Sequence, residues 1–141
     1  MKTRLLLIAH APLAQALHLC AQHVFPDCAA ELLTLDVEPH ESPEQTLAAA
    51  RALLAPAGGA PVLVLTDIVG ATPCNVARRL VDGVHSRLVS GVNLPMLLRV
   101  LSYRGEPLQV LLERALVGGT QGVTEVLAER ASHKFEPHAS S

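Results

Sequence analysis

The stretch Leu5-Leu6-Leu7-Ile8-Ala9 is apolar without interruption and ends on His10, with Ala11-Pro12 directly behind it. A strand with one wet face alternates apolar and polar residues. A short continuous apolar run suits a strand covered on both faces. A second run of this kind, Val62-Leu63-Val64-Leu65, ends in Thr66-Asp67. Strands covered on both sides need helices on both sides, which points to a parallel α/β sheet. Pro12 suits the first position of a helix, where its missing N–H costs nothing. His10 is therefore expected at the carboxyl end of the first strand, the edge where open parallel sheets bind ligands.

The rest of the chain repeats the alternation. Strands are expected near residues 3–9, 30–37, 61–66 and 87–92, with helices between them. The first helix, over 12–24, presents Leu13, Ala16, Leu17, Cys20 and Val24 at helical spacing. The second carries a strong start signal, with Ser42 as N-cap, Pro43 at the first position and Gln45 three residues after the cap. Thr72-Pro73 repeats the cap-and-proline pair for the third helix, over 72–81. Asn93-Leu94-Pro95 does so for the fourth. A fifth helix spans 107–117 and is expected to break at Gly118-Gly119. Residues 123–127 fit either a helical continuation or one last strand. The fold class is α/β, doubly wound and mainly parallel, with strand order 2-1-3-4 and right-handed crossovers.

With 141 residues the chain fits one domain, expected over 1–131 with a tail over 132–141. Hydrophobic residues make up 50% of it and aromatics only 2%. Ala, Leu and Val must therefore fill the core, and base-stacking platforms are missing. The net charge of −2, with no basic stripe, argues against nucleic acid. No run reaches the roughly 18 apolar residues of a membrane span, and the first strand is too short for a signal-peptide core. Membrane insertion is not expected, and a cytosolic protein is. Cys20, Cys28 and Cys74 are odd in number and lack a CxxC spacing, so they read as reduced, structural thiols. No metal-ligand pair and no cofactor motif is found.

Chemistry concentrates at the carboxyl ends of the strands. The first ends in His10, the third in Asp67 followed by Gly70-Ala71-Thr72-Pro73, and the fourth in Asn93-Leu94-Pro95. In the order 2-1-3-4 the first and third strands are neighbours, so His10 and Asp67 should meet. A carboxylate bonded to one imidazole nitrogen fixes the tautomer and leaves a lone pair on the other. The helix start at Thr72-Pro73 offers unpaired N–H groups and a positive dipole end to an anion, and Gly70 lets the backbone approach it. A nucleophilic imidazole, an orienting carboxylate and an anion cradle fit transfer of a phosphoryl group to histidine. Taken alone, His10 reads more readily as a packed or capping histidine, and it is Asp67 with the two loop motifs that reverses this. Asn93 reads as a plain N-cap. His18, His23, His40, His85, His133 and His138 read as solvated, and Arg78 and Arg79 as a solvated face or a contact for an acidic partner.

Three segments together resemble a known family. They are Ile8-Ala9-His10, the loop Leu65-Thr66-Asp67-Ile68-Val69-Gly70-Ala71-Thr72-Pro73-Cys74-Asn75, and the turn Ser90-Gly91-Val92-Asn93-Leu94-Pro95-Met96-Leu97. The chain resembles the enzyme IIA component of the mannose class of the bacterial phosphoenolpyruvate-dependent sugar phosphotransferase system, from the first strand to about Val126.

The resemblance implies a phosphotransferase, a phosphohistidine carrier. His10 would accept phosphate from the small phosphocarrier protein HPr, and Asp67 would orient the ring. Thr72, with the loop amides of Gly70 and Ala71, would contact the phosphate. It also implies a homodimer in which a last antiparallel strand is exchanged, placed over 123–127. The acceptor would be a IIB protein of a sugar transporter or a phosphotransferase-type dihydroxyacetone kinase. Ile68 and Val69 stand where relatives serving permeases often carry an aromatic residue, and Cys74 where they often carry Phe. That keeps a second reading open, a regulatory phospho-switch that binds a partner without sugar transport. A sensor without phosphate chemistry would leave the His10–Asp67 grouping unexplained.

Overall fold

The computed structural model describes residues 2–130, with Cys28 described by its backbone. Along β1 (Arg4–His10) the side chains divide between two cores. Leu5, Leu7 and Ala9 enter one, and Leu6 and Ile8 enter the other. All five are nearly or fully buried, as the unbroken apolar run requires. Each buried Leu or Ile stabilises the fold by roughly 2 kcal/mol relative to an exposed one.

Behind β1 come α1 (Leu13–Val24), the short α2 (Pro26–Ala29) and β2 (Leu32–Val37). Then follow α3 (Pro43–Leu54), a 3-10 turn (Ala55–Ala57), β3 (Val62–Thr66) and α4 (Thr72–Arg78). The described chain is completed by β4 (Ser86–Ser90), α5 (Leu94–Ser102) and α6 (Leu108–Gln121). The four strands form one all-parallel sheet in the order β2-β1-β3-β4. The first core packs α1, α5 and α6 on one face of the sheet, through Ala14, Ala21, Leu97, Val100, Leu101, Leu111 and Ala115. The second packs α3 and α4 on the other, through Leu47, Ala50, Val76 and Ala77. The fold class and strand order are those expected.

The helix starts follow local chemistry. Ser42 accepts from the Gln45 amide at 3.1 Å, and the Gln45 side chain accepts from the Ser42 amide at 2.9 Å, a complete capping box. Asn93 caps α5 by accepting from the Met96 amide at 2.9 Å. The connection from α4 to β4 is built on Asp82. One of its carboxylate oxygens accepts from the amides of Val84, His85 and Ser86, and these bonds hold the carboxyl far below the usual range.

Several expectations need correction. α6 does not break at Gly118-Gly119 but runs through both to Gln121. Glycine is needed at position 118 because α5 lies against it. A Cβ at Gly118 would stand 2.8 Å from the Cβ of Arg99, and one at Gly119 would stand 2.8 Å from Met96 Cε. Packing outweighs the low helix propensity of glycine. The buried stripe of α1 is Ala14 and Ala21 with Leu13 and Leu17 half-buried, while Val24 and Cys20 are exposed. The small alanines are fully buried, and Leu13 and Leu17 pack beside them against the same core. Cys74 is buried as expected. His18 is half-buried rather than solvated, with Nε2 2.9 Å from the Ala29 carbonyl oxygen. Residues 123–130 carry neither helix nor strand, and residues 132–141 of the expected tail lie outside the described residues.

Candidate functional site

His10 is the last residue of β1 and follows the side-chain alternation onto the face of Leu6 and Ile8, where α3 and α4 pack. Its backbone is held by the strand on one side and its ring by the same neighbour. Asp67, the residue directly after β3, accepts the His10 N–H at Oδ2 over 3.0 Å. The same oxygen lies 2.7 Å from His10 Nδ1. The strand order makes this contact: β1 and β3 pair directly up to Ile8 opposite Thr66.

The second oxygen of Asp67 is also engaged. Oδ1 accepts from the Ile68 amide at 2.9 Å and lies 3.4 Å from the Thr66 hydroxyl. The Asp67 side chain is only 12% exposed. Burial by itself would raise its pKa. The bonds from the His10 amide and ring and from the Ile68 amide outweigh this and hold the carboxyl below its usual range. Asp67 is therefore a carboxylate at neutral pH, and a carboxylate only accepts. The partner nitrogen, Nδ1, must then carry the proton. Nε2 is left with its lone pair, on a ring whose side chain is 52% exposed. In the uncharged ring this fixes the tautomer and turns Nε2 outward as the nucleophile.

Two helices start close to this ring. α1 follows His10 almost at once, and Pro12 at its N-cap gives no side-chain bond. Its amino end is closed from the neighbouring strand. Asp36 of β2 accepts from the Ala14 amide at 2.8 Å and from the Gln15 amide at 3.3 Å. The Ala11 amide also donates to the Val37 carbonyl at 3.0 Å. The amino end of α1 thus already holds a carboxylate, on the sheet face opposite the His10 ring.

α4 starts on the ring's own face, and differently from the expectation. Thr72 is its first helical residue rather than its N-cap. The cap position falls on extended Ala71, which gives no side-chain cap bond. Gly70, with a φ of +92°, turns the chain directly before this cap. Pro73 has no N–H, so Thr72 and Cys74 supply the first-turn amides without intrahelical acceptors. Thr72 and His10 line one cavity of about 200 Å³, together with Ala11, Val37, Glu38, Pro39 and Glu41. On the loop between Asp67 and Gly70, Ile68 is 57% and Val69 69% exposed. Among the described residues, no group of three or more His, Cys, Asp or Glu side chains is placed to hold a metal ion.

The family model for the "PTS system fructose IIA component", EIIA-man, matches residues 4–112. The chain belongs to this family. The solved structure of a mannose/sorbose-specific IIA subunit of the phosphotransferase system from Enterococcus faecalis is similar to this IIA chain at 28% identity. That alignment covers 92% of this chain and 98% of the other, with a TM-score of 0.84. A phosphotransferase component EIIA from Streptococcus agalactiae shares the fold at 20% identity and a TM-score of 0.78, over 87% of this chain and 96% of that one. A IIA protein associated with the fucose utilization operon of Streptococcus pneumoniae shares it at 21% identity and a TM-score of 0.74, over 89% and 93%. No curated protein matches the sequence. Membership of the IIA family implies a phosphocarrier role in the sugar phosphotransferase system. No helix among the described residues is long and apolar enough to cross a membrane.

Of the residues singled out in the sequence of this IIA chain, His10, Asp67 and Thr72 converge. Gly70 and Ala71 shape the turn between the last two. Asp36 was not anticipated. Its signal was faint but present: a lone carboxylate near the end of the mostly apolar run 32–37. Asn93 caps α5 as expected and also donates through Nδ2 to the Gly119 carbonyl at 3.1 Å.

Proposed function

We propose that this IIA chain accepts a phosphoryl group on Nε2 of His10 from HPr and passes it to a IIB protein or a related acceptor. The observation that carries the reading is the double engagement of Asp67 Oδ2 with the His10 amide and Nδ1. In the transfer, the Nε2 lone pair forms the new N–P bond while the bond between phosphorus and the donor's histidine nitrogen breaks. The ring gains positive charge as it is phosphorylated and keeps its Nδ1 proton. The Asp67 carboxylate stabilises that charge. Thr72 and the amides around Gly70 and Ala71 receive the phosphoryl oxygens. Because α1 is closed by Asp36, the amino end of α4 is the one open to the anion.

The homodimer belongs to the same proposal. Residues 123–130 leave α6 with Val123, Val126 and Leu127 more than three-quarters exposed. β4 ends the sheet, and its outer backbone edge can pair with such a segment from a second copy.

The test mixes the protein with phosphoenolpyruvate, enzyme I and HPr. Acid-labile, base-stable phosphate should appear on His10 and be absent from His10→Ala. No label on the wild-type protein refutes the proposal. The exposed Ile68-Val69 pair directly after Asp67 favours a second reading, a regulatory phospho-switch. Phosphorylation would set about two negative charges next to an apolar contact surface. A label that no IIB protein drains, with a partner that binds one phosphorylation state only, decides for the switch.

A further inference from the structure

The turn between β4 and α5 is tied in two directions. At its start, the Gly91 amide donates to the Asp67 carbonyl and the Val92 amide to the Thr66 carbonyl, both at 3.0 Å. This anchors it to the strand end that carries the candidate site. At its end stands Asn93, whose side chain is used twice. Oδ1 accepts from the Met96 amide at 2.9 Å, and Nδ2 donates to the Gly119 carbonyl at 3.1 Å. The two partners dictate the orientation, because an amide needs the oxygen and a carbonyl needs the NH2.

Gly119 lies in the last turn of α6, where carbonyls run out of intrahelical donors. The Val123 amide, four residues on, goes to the Thr120 carbonyl at 3.3 Å instead. Asn93 therefore takes up a carbonyl that the helix end leaves over. Three glycines let α6 come this close. A Cβ at Gly122 would stand 2.3 Å from Pro95 Cβ, and those at Gly118 and Gly119 would meet Arg99 and Met96. Beyond this point the chain leaves the helix with Val123, Val126 and Leu127 exposed.

We propose that Asn93 is a positioning residue: by latching the last turn of α6 to the β4–α5 turn it fixes where residues 123–130 leave the domain and presents them to a second copy of the chain. The N-cap accounts for Oδ1 only. The Nδ2 bond to a helix 26 residues away is the part a cap does not need. The proposal rests on the reading that residues 123–130 pair with a second copy.

Asn93→Asp separates the two jobs in the full-length protein. It keeps an acceptor for Met96 and replaces the donor to Gly119 with an oxygen. Hydrogen exchange at the Gly122 and Val123 amides should speed up at least tenfold. The dimer dissociation constant, from analytical ultracentrifugation, should rise at least tenfold. Phosphoryl uptake from HPr should stay within twofold of wild type, since His10, Asp67 and Thr72 lie in one chain. Asn93→Ser, whose hydroxyl can cap but cannot reach Gly119, should behave alike if the aspartate variant does not fold. Unchanged exchange overturns the proposal. So does faster exchange with an unchanged dissociation constant, or a loss of uptake beyond tenfold. A wild-type protein that sediments as a monomer refutes the dimer reading instead, and the exchange data then still decide whether Asn93 holds the helix end.

Discussion

Asp67 Oδ2 grips His10 twice, accepting its backbone N–H at 3.0 Å and lying 2.7 Å from Nδ1 of its ring. One oxygen thus sets both the position of the strand end and the tautomer of the imidazole. A group used in this way should reveal itself in rate and in stability, and the two can be measured apart.

Asp67→Asn removes the charge and offers either an oxygen or an NH2 group to His10, but not a second acceptor at the same place. Phosphoryl uptake from labelled HPr should slow by at least tenfold, about 1.4 kcal/mol of barrier. An unchanged initial rate would take Asp67 out of the chemistry.

Acid should expose the same contact. The folded pKa of Asp67 lies below its usual value, so its stabilisation is full above the unfolded value, about 4, and is lost as pH falls through the folded value. Urea unfolding of wild type and Asp67→Asn should differ most between pH 6 and 7 on this account, roughly two to three units above that value. The gap should narrow steadily below about pH 4. A gap that stays constant across the range would contradict the assignment.

Thr72 is tested by its shape and its hydroxyl separately. Thr72→Ser keeps the donor and should take up phosphate at nearly the wild-type rate. Thr72→Val keeps the volume and should be slower by at least about tenfold, the scale of one hydrogen bond to a charged group at about 1.5 kcal/mol or more. Equal rates for the two variants would mean that the backbone alone holds the anion.

Asp36 closes α1 from a neighbouring strand. Asp36→Ala leaves the Ala14 and Gln15 amides without that acceptor and should cost about 1 kcal/mol in urea unfolding, with a range of about 0.5–2. Asp36→Asn, which retains an acceptor, should recover most of it. Identical losses for the two would assign the effect to charge rather than to capping.

The glycines of α6 should not be equivalent. At Gly118 a new Cβ meets the Cβ of Arg99, which is fixed to its helix. Gly118→Ala should therefore destabilise by about 1–2 kcal/mol even though alanine is the better helix former by roughly 1. At Gly119 the obstacle is the Met96 methyl, the mobile end of a flexible side chain, so Gly119→Ala should come out close to neutral. Thermal unfolding of both variants, side by side, decides it.

What could be read directly from the chain was local or periodic. Unbroken apolar runs at Leu5–Ala9 and at residues 62–65 required cover on both faces, hence a parallel sheet between two helix layers. Ser42-Pro43 with Gln45 marked a helix start, because every atom of that cap lies within four residues. The carboxyl ends of β1 and β3 could be matched because 2-1-3-4 is a common order of doubly wound sheets and makes the first and third strands neighbours.

The remainder depended on which surfaces meet. The chain alone reads Gly118-Gly119 as a break, and only the contact of Gly118 with Arg99 makes glycine the residue that continues α6 there. It reads Leu13, Ala16, Leu17, Cys20 and Val24 as the inner face of α1, of which Leu13 and Leu17 pack on the core while Ala14 and Ala21 are the fully buried residues. It places the cap of α4 on Thr72, whereas the cap falls on Ala71, directly after the positive φ of Gly70. Asp36 on α1 and Asn93 on Gly119 join residues about 20 or more positions apart. Short-range chemistry and periodicity are written in neighbouring residues, so the sequence determined the strands, most helix starts and the pairing of His10 with Asp67. Bonds between distant side chains and backbones exist only once the helices have packed. The tertiary structure therefore decided which helix end a distant carboxylate closes and where the chain leaves its last helix.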